Sequence, residues 1–291
     1  MVVAAGDALI AALRDDVDRL LAAEPDVRAD APDSVHQMRV ATRRLRSVLR
    51  SYRSLFHKDP AAEIGAELKW LATLLGVARD AEVRADRFAD LLSEHGDEMP
   101  DADVVTDRLV TAERARYGAA HADVLAALDT DRYRALRKRL TQWRTEPPLR
   151  PTRATTPATD FFGVVLLRDH ERLDTLIRHE PTVPGAERIE TLHDIRKSAK
   201  RLRYSSEAAE KIIGDSAADL GHRAKRLQTV LGDHRDAIES GETIIERAAQ
   251  AEAAGEDTAT YHRLTAAENA AADRALTRYP EAAEALSTSL W

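Results

Sequence analysis

The sequence predicts an all-α protein built as two antiparallel helical bundles related by an internal pseudo-two-fold duplication. Residues 1–149 form the first half and 150–291 the second. Three observations predict this. The composition favours helix, because Ala, Leu, Arg, Glu and Asp dominate while 12 Gly, 11 Pro and 4% aromatics leave no β-rich stretch in 291 residues. Apolar residues recur at helical spacing almost throughout, with short breaks. Finally, one pattern of positive charge occurs twice. His36, Arg39, Arg43, Arg44, Leu45 and Arg46 are matched by His193, Arg196, Lys200, Arg201, Leu202 and Arg203 at an offset of 157 residues.

The elements follow in order. A first helix over about 5–24 ends where Pro25 to Pro32 interrupt the periodicity. A second, about 34–56, opens on Ser34-x-x-Gln37, the pattern of a capping box. Asp59-Pro60 starts a third, which runs through Trp70 and Leu75 to about residue 94. His95 to Pro100 reads as a turn, followed by helices near 102–128 and 131–145. Pro147 to Thr159, with prolines at 147, 148, 151 and 157, reads as the linker between halves. Helices near 160–180, 186–213, 216–254 and 257–276, then a short C-terminal one, repeat the plan. The matches extend to both sides of the basic motif at an offset of 156. Upstream, Val17, Leu20, Leu21, Glu24, Pro25 and Val27 match Leu173, Leu176, Ile177, Glu180, Pro181 and Val183. Downstream, Lys69, Leu71, Thr73, Leu75, Gly76, Arg79 and Asp80 match Lys225, Leu227, Thr229, Leu231, Gly232, Arg235 and Asp236.

The net charge of −7 conceals how the charge is distributed. His36 to Arg53 holds six arginines and no acid, and Arg196 to Arg203 holds five cations and no acid. An acidic body with two concentrated basic segments suggests a focused anion site. The absence of cysteine excludes disulfides and thiolate metal sites and fits a reducing cytoplasm. The longest apolar runs, such as Phe161 to Leu167, are too short to span a bilayer, and no signal peptide is legible. A soluble cytoplasmic protein is therefore expected.

On the second helix, positions 36, 39, 43, 46, 50 and 53 gather on one face at ~100° per residue. Met38, Ala41, Leu45, Val48, Leu49, Tyr52 and Phe56 gather opposite. His193, Arg196, Lys200 and Arg203 repeat that cationic face against Ile195, Leu202, Ala209 and Ile213, while Arg44 and Arg201 fall on the flank. About five like-charge neighbours in the first stripe store about 1–2 kcal/mol of repulsion. Acids from a neighbouring helix or a bound anion must answer it. A single basic helix is ordinarily a solvated or salt-bridged face. Repetition of the histidine and of the spacing to the next cations favours an anion site for the duplicated positions. Arg50 and Arg53 lack basic counterparts and fit either reading.

On the third helix of each half, Lys69, Thr73, Gly76 and Asp80 align, as do Lys225, Thr229, Gly232 and Asp236. A glycine inside a helix points to close approach by a helix or ligand. Asp80, Asp236, Arg79 and Arg235 are expected to orient the arginines, and Lys69 and Lys225 to contact the anion directly. Arginine forks and lysine ammonium groups suit phosphate oxygens, and a run of cations over four turns facing a second such run suits a long, regularly charged ligand. No phosphate-binding glycine loop, cysteine nucleophile or metalloprotease motif accompanies them, so no enzyme activity and no cofactor are expected. His36 and His193, surrounded by arginines, are poor metal ligands.

Both His-x-x-Arg-x-x-x-(Arg/Lys)-Arg-Leu-Arg copies and both Leu-Gly-x-x-Arg-Asp segments resemble the conserved histidine α-helical domain, or CHAD, family over nearly the whole chain. The resemblance implies two four-helix bundles around a basic cavity that binds inorganic polyphosphate, and association with polyphosphate granules. It implies anion contacts for His36, Arg39, Arg43, Arg46, His193, Arg196, Lys200 and Arg203. Many relatives carry a triphosphatase-like domain ahead of this one. About thirty residues precede His36, so that activity is not expected here. Two other readings compete: nucleic-acid or nucleotide binding, against which the low aromatic content argues, and a helical scaffold docking on an acidic protein.

Overall fold

The computed structural model describes residues 2–95 and 101–287. Most of the expected turn, Gly96 to Pro100, lies outside them. The first half comprises α1 (Ala5–Arg28), α2 (Ser34–Ser51) and α3 (Lys58–His95). Next comes α4 (Ala102–Thr106), which continues through a π turn (Asp107–Thr111) into α5 (Ala112–Leu128), and then α6 (Asp131–Trp143). A single turn, α7 (Pro151–Ala154), sits within the connection. The second half comprises α8 (Ala158–His179), α9 (Gly185–Ile213), α10 (Asp215–Ala253), α11 (Ala259–Thr277) and α12 (Tyr279–Ser287). The described residues contain no strand, only two isolated bridges, Ala4 with Pro157 and Phe56 with Leu149. The chain is all-α.

The apolar face read from α2 is the buried one: Met38, Ala41, Leu45, Val48, Leu49, Tyr52 and Phe56 are all buried, as are Ile195, Leu202 and Ala209 on α9. One core joins α1, α2 and the start of α3 to α8, α9 and the start of α10. A second, smaller core joins the ends of α3 and α10, around Phe88, Leu92, Ile244 and Ala248, to Val105, Leu109, Tyr261 and Leu264. Both cores draw on both halves. Three contacts fix the end of α2 on α8 and α9. The Tyr52 ring packs tilted against Phe162 at 4.6 Å, its hydroxyl donates to the Ser205 carbonyl (2.8 Å), and Ser51 Oγ donates to Asp169 (2.8 Å). The basic faces of α2 and α9 are thereby held in fixed relation.

Three local expectations differ. The first helix does not stop before Pro25 but runs one turn further to Arg28. Pro25 removes a single donor, and burial of Val27 with the Arg28–Glu24 pair at 2.9 Å outweighs it. The capping box does not form: Asp33, in the left-handed region at φ 60°, is the N-cap, and Gln37 donates to its carboxylate at 2.7 Å. The second helix ends at Ser51 rather than near 56, because Phe56 turns extended to bridge Leu149. The proline-rich connection is itself packed. Ala5 N–H donates to Thr156 (2.8 Å) and Ala158 N–H to Val3 (2.9 Å). At Gly6 a Cβ would lie 2.9 Å from Ala154 Cβ, so this approach requires glycine.

Candidate functional site: a cationic groove between the halves

The cationic faces of α2 and α9 meet, with α3 and α10 behind them, around a groove of about 470 Å³. His36, Arg39 and Arg43 enter from one half and His193 and Arg196 from the other. Arg79, Asp80, Arg235 and Asp236 complete the part of the wall read from sequence. Lys200, partly buried, stands within the field of Arg43, Arg196, Arg39 and Arg203.

Arg39 and Arg196 occupy corresponding places. The Arg39 guanidinium lies over Gly76, where a Cβ would sit 3.7 Å from Nε; Arg196 lies over Gly232, where the distance would be 3.6 Å. In both, the Nε is buried without a partner. The glycines thus admit an arginine of their own half. These are ordinary van der Waals separations, so Gly76→Ala and Gly232→Ala are expected to be tolerated. Each should stabilise the helix by about 0.5–1 kcal/mol, read as a raised melting temperature. A drop in melting temperature would show that the guanidinium needs the full opening.

The charges of the groove divide into two sets. The outer arginines are answered by acids. Arg79 pairs with Glu82 (2.8 Å), Arg235 with Glu239 (2.5 Å) and Arg39 with the exposed Asp80 (3.3 Å). Arg84 and Arg87, which the sequence reading missed, pair with the buried Glu113 and Glu268. Their signal was spacing, since 80, 83, 84 and 87 continue the face of Gly76 down α3. The central cations, Arg43, Lys200 and Arg196, have no carboxylate within 4 Å among the described residues. Burial, reinforced by Arg43, Arg196 and Arg39, lowers the Lys200 pKa to about 6. Burial and then Arg39 lower Arg43 to about 10, which leaves it charged at neutral pH. Burial lowers His36 and His193, helped by Arg79 and Arg235 respectively, so both rings are neutral at pH 7. Asp236, open to solvent on one side, is raised by loss of surrounding water against the pull of Arg196.

The flank arginines hold the frame, as their position implied. Arg44 joins Asp16 of α1 (2.9 Å) to Glu207 of α9, and Arg201 joins Asp169 of α8 (3.0 Å) to Ser51 of α2 (3.2 Å). Arg203 turns away from the groove to Glu207, 2.7 Å off in its own helix. Arg46 and Arg50 line an adjoining pocket. Lys69 and Lys225 are corrections, because neither lines the groove. Both are exposed, and Lys225 stands with His222, Arg226 and Arg278 over a separate depression. Each lies seven residues, or ~10 Å along the helix, from the glycine that marks the groove. Tyr204 was also missed. It is buried beneath Arg44, Lys200 and Arg203, whose cations lie 5.2–5.8 Å from its ring.

Among the described residues no helix is long and apolar enough to cross a membrane. The model of the CHAD domain matches residues 11–245. Two uncharacterized proteins of Mycobacterium tuberculosis, one from strain CDC 1551 / Oshkosh and one from strain ATCC 25618 / H37Rv, are each 38% identical over 268 residues. The match covers 90% of this chain and 50% of theirs, so the chain spans about half the length of these curated relatives. Among solved structures, PptA from Streptomyces chartreusis superposes with a TM-score of 0.81 at 19% identity, covering 96% of this chain and 99% of that one. The CHAD domain from the plant Ricinus communis gives 0.67 at 24% identity, covering 99% and 93%. These two likenesses concern the fold.

Proposed function

The chain belongs to the CHAD domain family, and from that premise we propose that its central groove binds inorganic polyphosphate without transforming it. The observation that carries the reading is the set Arg43, Lys200 and Arg196, which converge from two halves with no carboxylate within 4 Å among the described residues, Asp236 acting on Arg196 only from further off. A linear polyanion supplies the missing charge at several places at once, whereas a single phosphate would leave most of these groups unpaired. The exposed Asp80 holds Arg39 weakly enough to be displaced by phosphate oxygens. His36 and His193 gain charge when a polyanion restores their pKa values. In this reading the same contact attaches the chain to polyphosphate granules, which matches what the family resemblance implies.

Nucleic acid is the second reading, and the aromatic content of the site speaks against it. Tyr204 is the aromatic ring in contact with the central cations and is only 4% exposed, so it offers no stacking surface for bases. Competition separates the two. Polyphosphate bound at low salt is expected to resist single-stranded DNA or RNA at equal phosphate concentration, and its affinity should fall steeply with salt. Displacement by the nucleic acid would overturn the assignment.

A further inference from the structure

The two basic stripes are alike at four positions and opposite at the next two. At the offset that pairs His36 with His193, Arg50 falls against Glu207 and Arg53 against Glu210. The structure gives this reversal a place. Beyond Arg43, the face of α2 continues through Arg46 and Arg50, and Arg53 in the short turn after the helix carries it into a second pocket of about 600 Å³, joined by Lys58 and Arg150. Its lining contains no acid, and none of its five cations has a carboxylate within 4 Å among the described residues. Its floor is Leu49, Ala61, Ala62 and Gly65. The wall is fixed by backbone. Arg150 N–H donates to Leu55 (2.8 Å), His57 N–H donates to Pro148 (2.9 Å), and Phe56 stacks on Trp143 at 5.8 Å. At the matching end of α9, Glu207 is engaged by Arg44 and Arg203, and Glu210 is exposed.

We propose that the polyanion track is one-sided: a chain longer than the central groove leaves it along α2 over Arg50, Arg53, Lys58 and Arg150, and not along α9, where Arg203 is already held by Glu207 and Glu210 stands exposed. This rests on the polyphosphate reading of the groove. From His36 to Arg50 the stripe covers ~21 Å of helix, so only a long chain reaches the pocket. The pocket cations are largely exposed and add less per contact than the groove cations. Their contribution is therefore selectivity for length. A track with one open end also gives the bound polymer a single direction of exit.

The experiment compares tripolyphosphate with a long-chain polyphosphate, by isothermal titration at two salt concentrations, on three proteins. These are the full chain, Arg50→Glu/Arg53→Glu, and Arg150→Glu, which changes a side chain outside α2 in case the double variant fails to fold. The wild-type chain is expected to bind the long polymer more tightly than tripolyphosphate. Each variant should keep tripolyphosphate affinity within about twofold. Each should lose on the order of tenfold for the long polymer, with a shallower salt slope. Long-chain affinity unchanged in both variants, or equal losses for both ligands, would overturn the one-sided track while leaving groove binding standing. No binding of either ligand to the wild-type chain would instead remove the polyphosphate reading itself.

Discussion

Reversing the charge of Arg43 and Lys200 together is expected to abolish polyphosphate binding while leaving the helical circular-dichroism signal intact. Arg43 supplies a charge-assisted contact of about 1.5–3 kcal/mol to a phosphate oxygen, and Lys200 supplies another once the polyanion restores its proton. Loss of both weakens binding on the order of a thousandfold, before the repulsion of two new carboxylates is added. The fold should survive because neither side chain now has an ionic partner to lose. A carboxylate at either position also gains Arg39, Arg196 or Arg203 as a neighbour. Arg44 behaves differently. That residue ties α1, α2 and α9 through Asp16 and Glu207, and its removal would leave the buried Asp16 with only the exposed Arg19 of its own helix (3.1 Å) and unsettle the fold.

A second large effect follows from the same crowding and has the opposite sign for stability. Lys200→Met is expected to raise the melting temperature of the free protein while weakening polyphosphate binding on the order of tenfold. The unbranched methionine keeps the stem of the lysine and removes an amine that burial and four cations disfavour. Each kcal/mol relieved should appear as about 2–4 °C in a chain of this size. The pH dependence has a definite sign. The Lys200 pKa of about 6 in the folded state lies below the ordinary lysine value of about 10.4. Between these limits the unfolded chain binds more protons, so this group adds stability as pH rises from about 6 to 10. The advantage of Lys200→Met is therefore largest at or below pH 6 and shrinks as pH rises. Thermal melts of both proteins at pH 6, 7.5 and 9 check it. An advantage that stays constant or grows with pH would mean that Lys200 is not held in its neutral form.

Repetition made the centre of this site legible. His36, Arg39 and Arg43 could be placed on one face of α2, and His193 and Arg196 on one face of α9, because helical geometry converts spacing into direction. The flank positions of Arg44 and Arg201 already separated them from the groove. Pairing across distant segments was not legible. Glu113 and Glu268, which neutralise Arg84 and Arg87, lie on α5 and α11, and nothing local marks them as partners. Lys69 and Lys225 failed for a related reason. They share the face of Gly76 and Gly232, but a shared face extends along the whole helix, and its distance from the groove depends on where α2 and α9 cross. The pocket at Arg150 needed the proline-rich connection to fold back onto Leu55 and Phe56, which no periodicity shows.

The measurement that bears most directly on the groove is isothermal titration of long-chain polyphosphate into the wild-type chain and Arg43→Glu/Lys200→Glu side by side, at one salt concentration and neutral pH. Saturable binding by the wild-type chain and none by the double variant is the expected result. Equal binding by the two proteins, or no binding by either, would contradict the assignment of the unanswered cations between α2 and α9 as a polyphosphate site.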